Sequence, residues 1–324
     1  MDCHLDPSYF FAHNRFTQLQ HLSLCRTNFA LAHLKVTTLV HLSLSNNPLN
    51  PSTTTSQIIQ LLALNPSIQI LKLHLLALDD DSGPDNGELV PLPHLEQLFL
   101  DGKVYHMRKI LSRMKFFGTV KTTKLRLHDC TPEMVNRESI RLYLCNVLQY
   151  GAKVGHGLKV DLMLDRPDPT YLHVRGLKTS DPEATLFIFP PGGAQAPKQM
   201  HTSILRGLPL ERIIQFKTNS LEMEEMPNLE RLQLESVGVS DGFLLSRPDG
   251  PDGRKRLFPS LQKLYLLGDV PRNDNWDPLI YYLDRRRVFL HVNSYICSEA
   301  KKKIWPLVTG ITDTIDREWR PKWA

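Results

Sequence analysis

No stretch of the 324 residues approaches the roughly 20 consecutive apolar residues that a membrane-spanning helix requires. The opening MDCHLDPSYFFAHNR, residues 1–15, carries acids and histidines where a secretion signal needs a basic start and an apolar run. Cysteine is scarce: Cys3, Cys25, Cys130, Cys145 and Cys297 are odd in number, widely scattered and contain no C-x-x-C pair, which excludes a disulfide framework and the usual zinc and redox motifs. A reducing compartment, the cytoplasm or the nucleus, is expected. The net charge of +5 is spread along the chain without the dense basic stripe, interleaved with aromatics, of a dedicated nucleic-acid binder. Hydrophobic content of 41% and charged content of 23% sit near the globular mean and exclude disordered and collagen-like classes.

Chemical signatures are equally sparse. GAKVGHG, 151–157, lacks the G-x-x-x-x-G-K-[ST] order of a phosphate-cradling loop, and the acidic LDDDSGPDNGE, 78–88, lacks the D-x-D-x-D-G order of a calcium loop. PDGRKR at 251–256, RRR at 285–287 and KKK at 301–303 could serve nuclear import or an anionic partner, but the last two fall in helical patterns, where charge runs mark a solvated face.

What the chain does have is repetition. FTQLQHLSL (16–24), VTTLVHLSL (36–44), NPSIQILKL (65–73), LPHLEQLFL (92–100), TVKTTKLRL (119–127), MPNLERLQL (226–234) and FPSLQKLYL (258–266) share the core L-x-x-L-x-L. The last two leucines lie two residues apart, so in a strand both point to one side while the residues around them point to the other. Leu24, Leu44, Leu73, Leu100 and Leu127 follow one another at 20, 29, 27 and 27 residues, the spacing of leucine-rich repeats. Between the strands lie segments of helical period. TSQIIQLLALN offers Thr55 or Ser56 as N-cap, Ile58, Ile59, Leu61 and Leu62 as apolar face, and Pro66 as stop; VYHMRKILSRMKFF and WDPLIYYLDRRR behave alike. A strand and return helix cannot bury their apolar sides alone, and stacking closes a continuous core.

The pattern blurs over 129–220, where RESIRLYLCNVLQYG reads as a helix and LKVDLML, TYLHVRG and ATLFIFP as short strands. Degenerate repeats account for this, with a domain boundary at the Pro/Gly-rich 190–197 as the alternative. Residues 79–88 and 247–256 are insertions of turn-forming residues expected on one edge. At the end, Ile304, Leu307, Ile311 and Ile315 at near-helical spacing, with Pro306 early enough to kink them, suggest a helical cap. The expected architecture is α/β: a lead-in (1–15), a curved leucine-rich-repeat solenoid (16–293) with parallel strands on its concave face and helices on its convex face, and a C-terminal helical cap (294–324).

Repeats of irregular length whose strand is introduced by x-P-x-L and whose helix ends in N-P-x-I/L, as in LLALNPSIQILKL, LPHLEQLFL, MPNLERLQL and FPSLQKLYL, resemble the substrate-recognition regions of fungal F-box proteins. The resemblance covers most of the chain. It implies a non-catalytic module that holds another protein on its repeats, while a helical F-box docks onto the adaptor of a cullin-type ubiquitin ligase. The chain departs from the pattern at its start, where residues 1–15 are too few to form that box, so an adaptor partner is expected only if a box is supplied upstream.

The outward residues define a candidate partner-binding surface: His21, Ser23, His41, Ser43, Lys72, His74, Phe99, Asp101, Arg126 and His128, continued by Arg231, Gln233, Lys263 and Tyr265. Mixed cations and aromatics of this kind suit a protein interface, although every such repeat also has a plain solvated face. In the expected register His74, Asp101 and His128 share one row, an arrangement able to bind a metal or to mimic a catalytic His/Asp pair. No hydroxyl nucleophile accompanies them, and no catalytic residue, metal or cofactor is expected. A scaffolding repeat protein without any ubiquitin link is the alternative role.

Overall fold

The structure is a computed structural model that describes residues 18–25, 36–45, 54–75, 89–115, 119–145, 157–164, 169–191, 198–220, 223–235, 258–267, 288–292 and 302–312, together with positions 31, 34, 147, 148, 246, 247, 255, 256 and 283. The lead-in 1–15, the acidic insertion 79–88, most of GAKVGHG, the segment WDPLIYYLDRRR except Leu283, the centre of the Pro/Gly-rich stretch and residues 313–324 lie outside the described residues.

The repeated motif forms strands: β1 (His21–Cys25), β2 (His41–Ser45), β3 (Ile70–Leu75), β5 (Gln97–Lys103), β7 (Thr122–His128), β12 (Arg231–Leu234) and β15 (Lys263–Leu266). Two-residue strands β4 (Val90–Pro91) and β6 (Met114–Lys115) pair with each other, as do β13 (Ser246–Arg247) and β14 (Lys255–Arg256) across the second insertion. The remaining strands are β8 (Leu158–Leu164), β9 (Thr170–Gly176), β10 (Glu183–Ile188), β11 (Ile213–Thr218), β16 (Val288–Val292) and β17 (Val308–Thr312). One 13-stranded sheet results, in the order β1-β2-β3-β5-β7-β10-β9-β8-β11-β12-β15-β16-β17. It is mostly parallel and open, with β1 and β17 as its edges.

The x-P-x-L element has a direct structural meaning. In each case a proline at the second position of a turn lets the fourth residue donate its N–H to the carbonyl of the first: Ile68 to Asn65 (3.3 Å), Leu95 to Leu92 (3.3 Å), Leu229 to Met226 (3.2 Å) and Leu261 to Phe258 (3.4 Å). The turn buries its first and last residues before the strand starts. A hydroxyl one residue before the buried aliphatic residue ties rungs together, in the proline turn of Ser260, which donates to the Pro227 carbonyl, and in the proline-free segments of Thr38 and Thr119, which donate to the Leu19 and Leu95 carbonyls. Asn65 occupies an otherwise apolar turn position and is fully buried, yet its amide is satisfied. It donates to the Val36 and Leu61 carbonyls (both 2.8 Å) and accepts from the Leu39 N–H (3.0 Å).

Helices cover the inward face of the sheet. Helix α1 (Thr55–Ala63) starts at Thr54, not at Thr55 or Ser56 as the sequence suggested, because Gln57 three residues on completes a capping box with it. Ile58, Leu61 and Leu62 are buried as expected. Helix α2 (Val104–Arg113) follows β5, α3 (Arg137–Tyr143) is capped by the Asn136 side chain accepting from the Ser139 N–H, and α4 (Lys198–Gly207) precedes β11. Successive helices pack side by side, and their apolar residues join the inward leucines in one core.

Three expectations are corrected. In β7 the residue opposite Leu100 is Leu125, not Leu127. The true repeat there is FGTVKTTKL, 117–125, with Val120 and Thr123 buried where leucines stand elsewhere. A slip of two residues preserves which side faces in, so burial alone does not reveal it. Second, 129–220 neither repeats the unit degenerately nor divides the sheet: β8, β9 and β10 form a meander whose order is reversed, with β9 antiparallel to both neighbours while β10 pairs parallel with β7 and β8 with β11. Third, the end of the described chain is not a helical cap. Pro306 sits at the start of a short 3-10 turn, Trp305–Leu307, after which the β-branched Val308, Thr309, Ile311 and Thr312 add β17 parallel to β16.

His201 in α4 is fully buried, neither ring nitrogen has a hydrogen-bond partner among the described residues, and burial pushes its pKa down to about 4. As pH falls below the ordinary 6.5, the unfolded chain takes up a proton that native His201 refuses until about 4, so stability is lost across that window. At about 1.4 kcal/mol per pH unit, the loss is on the order of 3 kcal/mol. His201→Leu should flatten this dependence in urea denaturation at neutral pH and at about pH 5. Leu100→Ala, at a position only 1% exposed, should cost about 2–5 kcal/mol in the same assay at neutral pH.

Candidate functional site

Parallel pairing places the outward residues of neighbouring strands side by side, about 4.8 Å apart. His21 lies opposite His41, Ser23 opposite Ser43, Ser43 opposite Lys72, Lys72 opposite Phe99, and His74 opposite Asp101. Farther along, Arg231 lies opposite Lys263 and Gln233 opposite Tyr265. Every candidate surface residue therefore shares one face of the sheet. The two groups are not contiguous, however. Strands β10, β9, β8 and β11 separate β7 from β12, so the sets lie about 24 Å apart at ordinary strand spacing.

The slip at β7 sets Arg126 opposite Asp101 and His128 opposite Lys103. The three-residue cluster forms nonetheless. Asp101, its side chain 12% exposed, meets His74 Nδ1 at 3.0 Å, His128 Nε2 at 2.8 Å and an Arg126 guanidinium nitrogen at 3.6 Å. His128 reaches Asp101 diagonally while its ring stacks on Phe189 at 4.5 Å and 7°. One nitrogen of each imidazole is thus spent on a carboxylate oxygen. Among the described residues no group of three His, Cys, Asp or Glu side chains is placed to hold a metal ion.

The meander contributes outward residues that the repeat pattern did not flag. Thr185 lies beside Lys124, then His173, Asp161, Lys217 and Gln233 follow on successive strands; one row over, Arg126 is followed by Phe187, Tyr171 and Met163. The signal was present in LKVDLML, TYLHVRG and ATLFIFP, whose alternation assigns Lys159, Asp161, Tyr171, His173, Thr185 and Phe187 to one side. Burial raises the Asp161 pKa, opposed by His173 and Lys217. His173 is pulled down by burial, opposed by Asp161 and Glu183, and its Nδ1 lies 3.0 Å from the Thr185 hydroxyl. Lys159 is lowered by burial and then by Arg175 and Arg231. Charges in this part of the face are mixed, and Lys217 pairs with Glu235 at 2.7 Å.

Cations on the face lie over aromatic rings. Lys72 Nζ is 5.3 Å from the Phe99 centroid, Lys124 Nζ and Arg126 Cζ are 5.5 and 5.7 Å from that of Phe187, and Arg231 Cζ is 4.3 Å from that of Tyr265. Between β2 and β7 the face sinks into a cleft of about 320 Å³ lined by Ser43, Ser45, Lys72, His74, Phe99 and Arg126 among others. Such a surface can bind by charge, ring contact and hydroxyl hydrogen bonds. Among the described residues no helix is long and apolar enough to cross a membrane.

No known protein-family model matches the chain, and no curated protein matches it in sequence.

Because His74 and His128 each direct a nitrogen to Asp101, zinc has no preformed site to fill there. Added zinc is expected to leave the thermal midpoint unchanged; a rise that disappears in Asp101→Asn would assign a metal to the cluster.

Proposed function

We propose that the chain is a non-catalytic protein-binding module: a curved leucine-rich-repeat solenoid that holds a partner protein on the open, concave side of its sheet. The observation that carries this reading is the in-register outward face, where Lys72, Phe99, Arg126, Arg231 and Tyr265 project from a sheet whose other side is fully used by the core. Extended faces of this type bind macromolecules in repeat proteins because no single pocket limits the contact. Arginine and aromatic side chains, which concentrate binding energy at interfaces, stand here in contact with each other.

The resemblance of LPHLEQLFL, MPNLERLQL and FPSLQKLYL to repeats of fungal F-box proteins supports a role in substrate recognition for a ubiquitin ligase. The proline turn that precedes each of these strands is part of that resemblance. A scaffolding repeat protein with no ubiquitin link is the second reading, since the outward face alone serves that role equally. Affinity purification separates the two: recovery of a ligase adaptor supports the first, and recovery of partners without the adaptor supports the second.

The double substitution Phe99→Ala with Arg126→Glu removes a ring and reverses a charge at outward positions. It should abolish capture of the partners while the variant still unfolds in one cooperative thermal transition, at a midpoint lowered by the lost Arg126–Asp101 pair. Partner capture that survives both changes would move the interface off this face.

A further inference from the structure

The outward charges are not evenly matched along the sheet. Over β8, β11 and β12, Lys159, Lys217 and Arg231 share the face with Asp161 and Glu235. Over β3, β5 and β7 the outward cations are Lys72, Lys103, Lys124 and Arg126, and the one outward acid among them, Asp101, already accepts His74, His128 and Arg126. Among the described residues no ion pair engages Lys72 or Lys124. Lys72 and Lys124 flank Phe99 on adjacent strands, about 10 Å apart across the cleft, and Ser43 and Ser45 close its far side.

The rings fix these cations. Lys72 lies over Phe99, and Lys124 and Arg126, which line the cleft, also lie over Phe187 on the neighbouring β10, so the rings restrict all three cations and lower the entropic cost of ordering them. The same contacts compete with stacked nucleobases, since a cation already lies over each ring. An extended nucleic-acid track would also run from β7 onto the acids of the meander, Glu183 and Asp161.

We propose that the cleft over β3, β5 and β7 docks an acidic peptide segment of the partner protein, its carboxylates meeting Lys72, Lys124 and Arg126. This rests on the reading of the face as a protein-binding surface and adds the chemistry of what it takes. Charge complementarity at such a site governs encounter and register, and it weakens with salt.

The test uses the full chain and a fluorescent Glu/Asp-rich peptide, with its Gln/Asn counterpart and a single-stranded oligonucleotide as competitors of other chemistry. The acidic peptide is expected to bind, the neutral one to fail, and high salt to weaken the complex. Lys72→Glu with Lys124→Glu should lower affinity about tenfold or more, while Arg206→Glu on helix α4 leaves it unchanged; thermal melting verifies that each variant is folded. Acidic-peptide binding that is unaffected by Lys72→Glu/Lys124→Glu overturns the site. An oligonucleotide that binds more tightly than the acidic peptide overturns the partner class. If neither peptide binds, or both bind equally, while Phe99→Ala/Arg126→Glu still loses the captured partners, the acidic segment is wrong and the protein-binding face stands.

Discussion

Every rung of this sheet depends on one constraint: a strand with aliphatic side chains on one side is stable only when the next strand and a covering helix bury that side. The inward residues Leu42, Leu71, Leu98 and Leu232 are essentially inaccessible to water, and so are Ile58, Met107, Ile140 and Ile204 from the helices above them. With apolar burial contributing about 25 cal/mol per Å², no single unit closes its own balance, and each is held by its neighbours. The outward face is left over by that demand. Its residues carry no packing duty on the core, which frees them to differ in charge and chemistry from rung to rung.

The proline turns extend the constraint into the connections. A β-turn with proline at its second position needs no side-chain partner to set its backbone, and it delivers two buried residues three positions apart at the start of the strand. Asn65 shows what happens when one of those positions is polar: the fold accepts it because three backbone groups from its own and the preceding unit complete its hydrogen bonds. His201 is the opposite case, a buried imidazole with no such partners among the described residues, and it makes α4 sensitive to acid.

Chemically, the face is organised by how charges are cancelled. Asp101 gathers three basic side chains, and Lys217 takes Glu235, whereas Lys72 and Lys124 are held against aromatic rings. The meander matters here because it brings Phe187 beside Arg126 and Lys124, supplying the ring on which both cations rest. Had the chain continued as a simple repeat past β7, a different side chain would occupy that place.

Much of this was legible in the residues. The two-residue spacing of Leu42 with Leu44 or Leu264 with Leu266 names the buried side, and by parity names His41, Ser43, Lys263 and Tyr265 as outward, because a strand alternates sides strictly. The same alternation in TYLHVRG and ATLFIFP holds although those strands lack the motif. Adjacency is a different kind of fact. Leu125 and Leu127 satisfy burial equally well in two registers, the reversed order of β8, β9 and β10 leaves every strand's parity intact, and Ile304, Leu307 and Ile311 fit a helix or a turn followed by a strand. Which strands are neighbours, and so which side chains meet, is settled by hydrogen bonding between segments far apart in the chain, where alternatives of equal local quality are separated only by how well the whole layer packs.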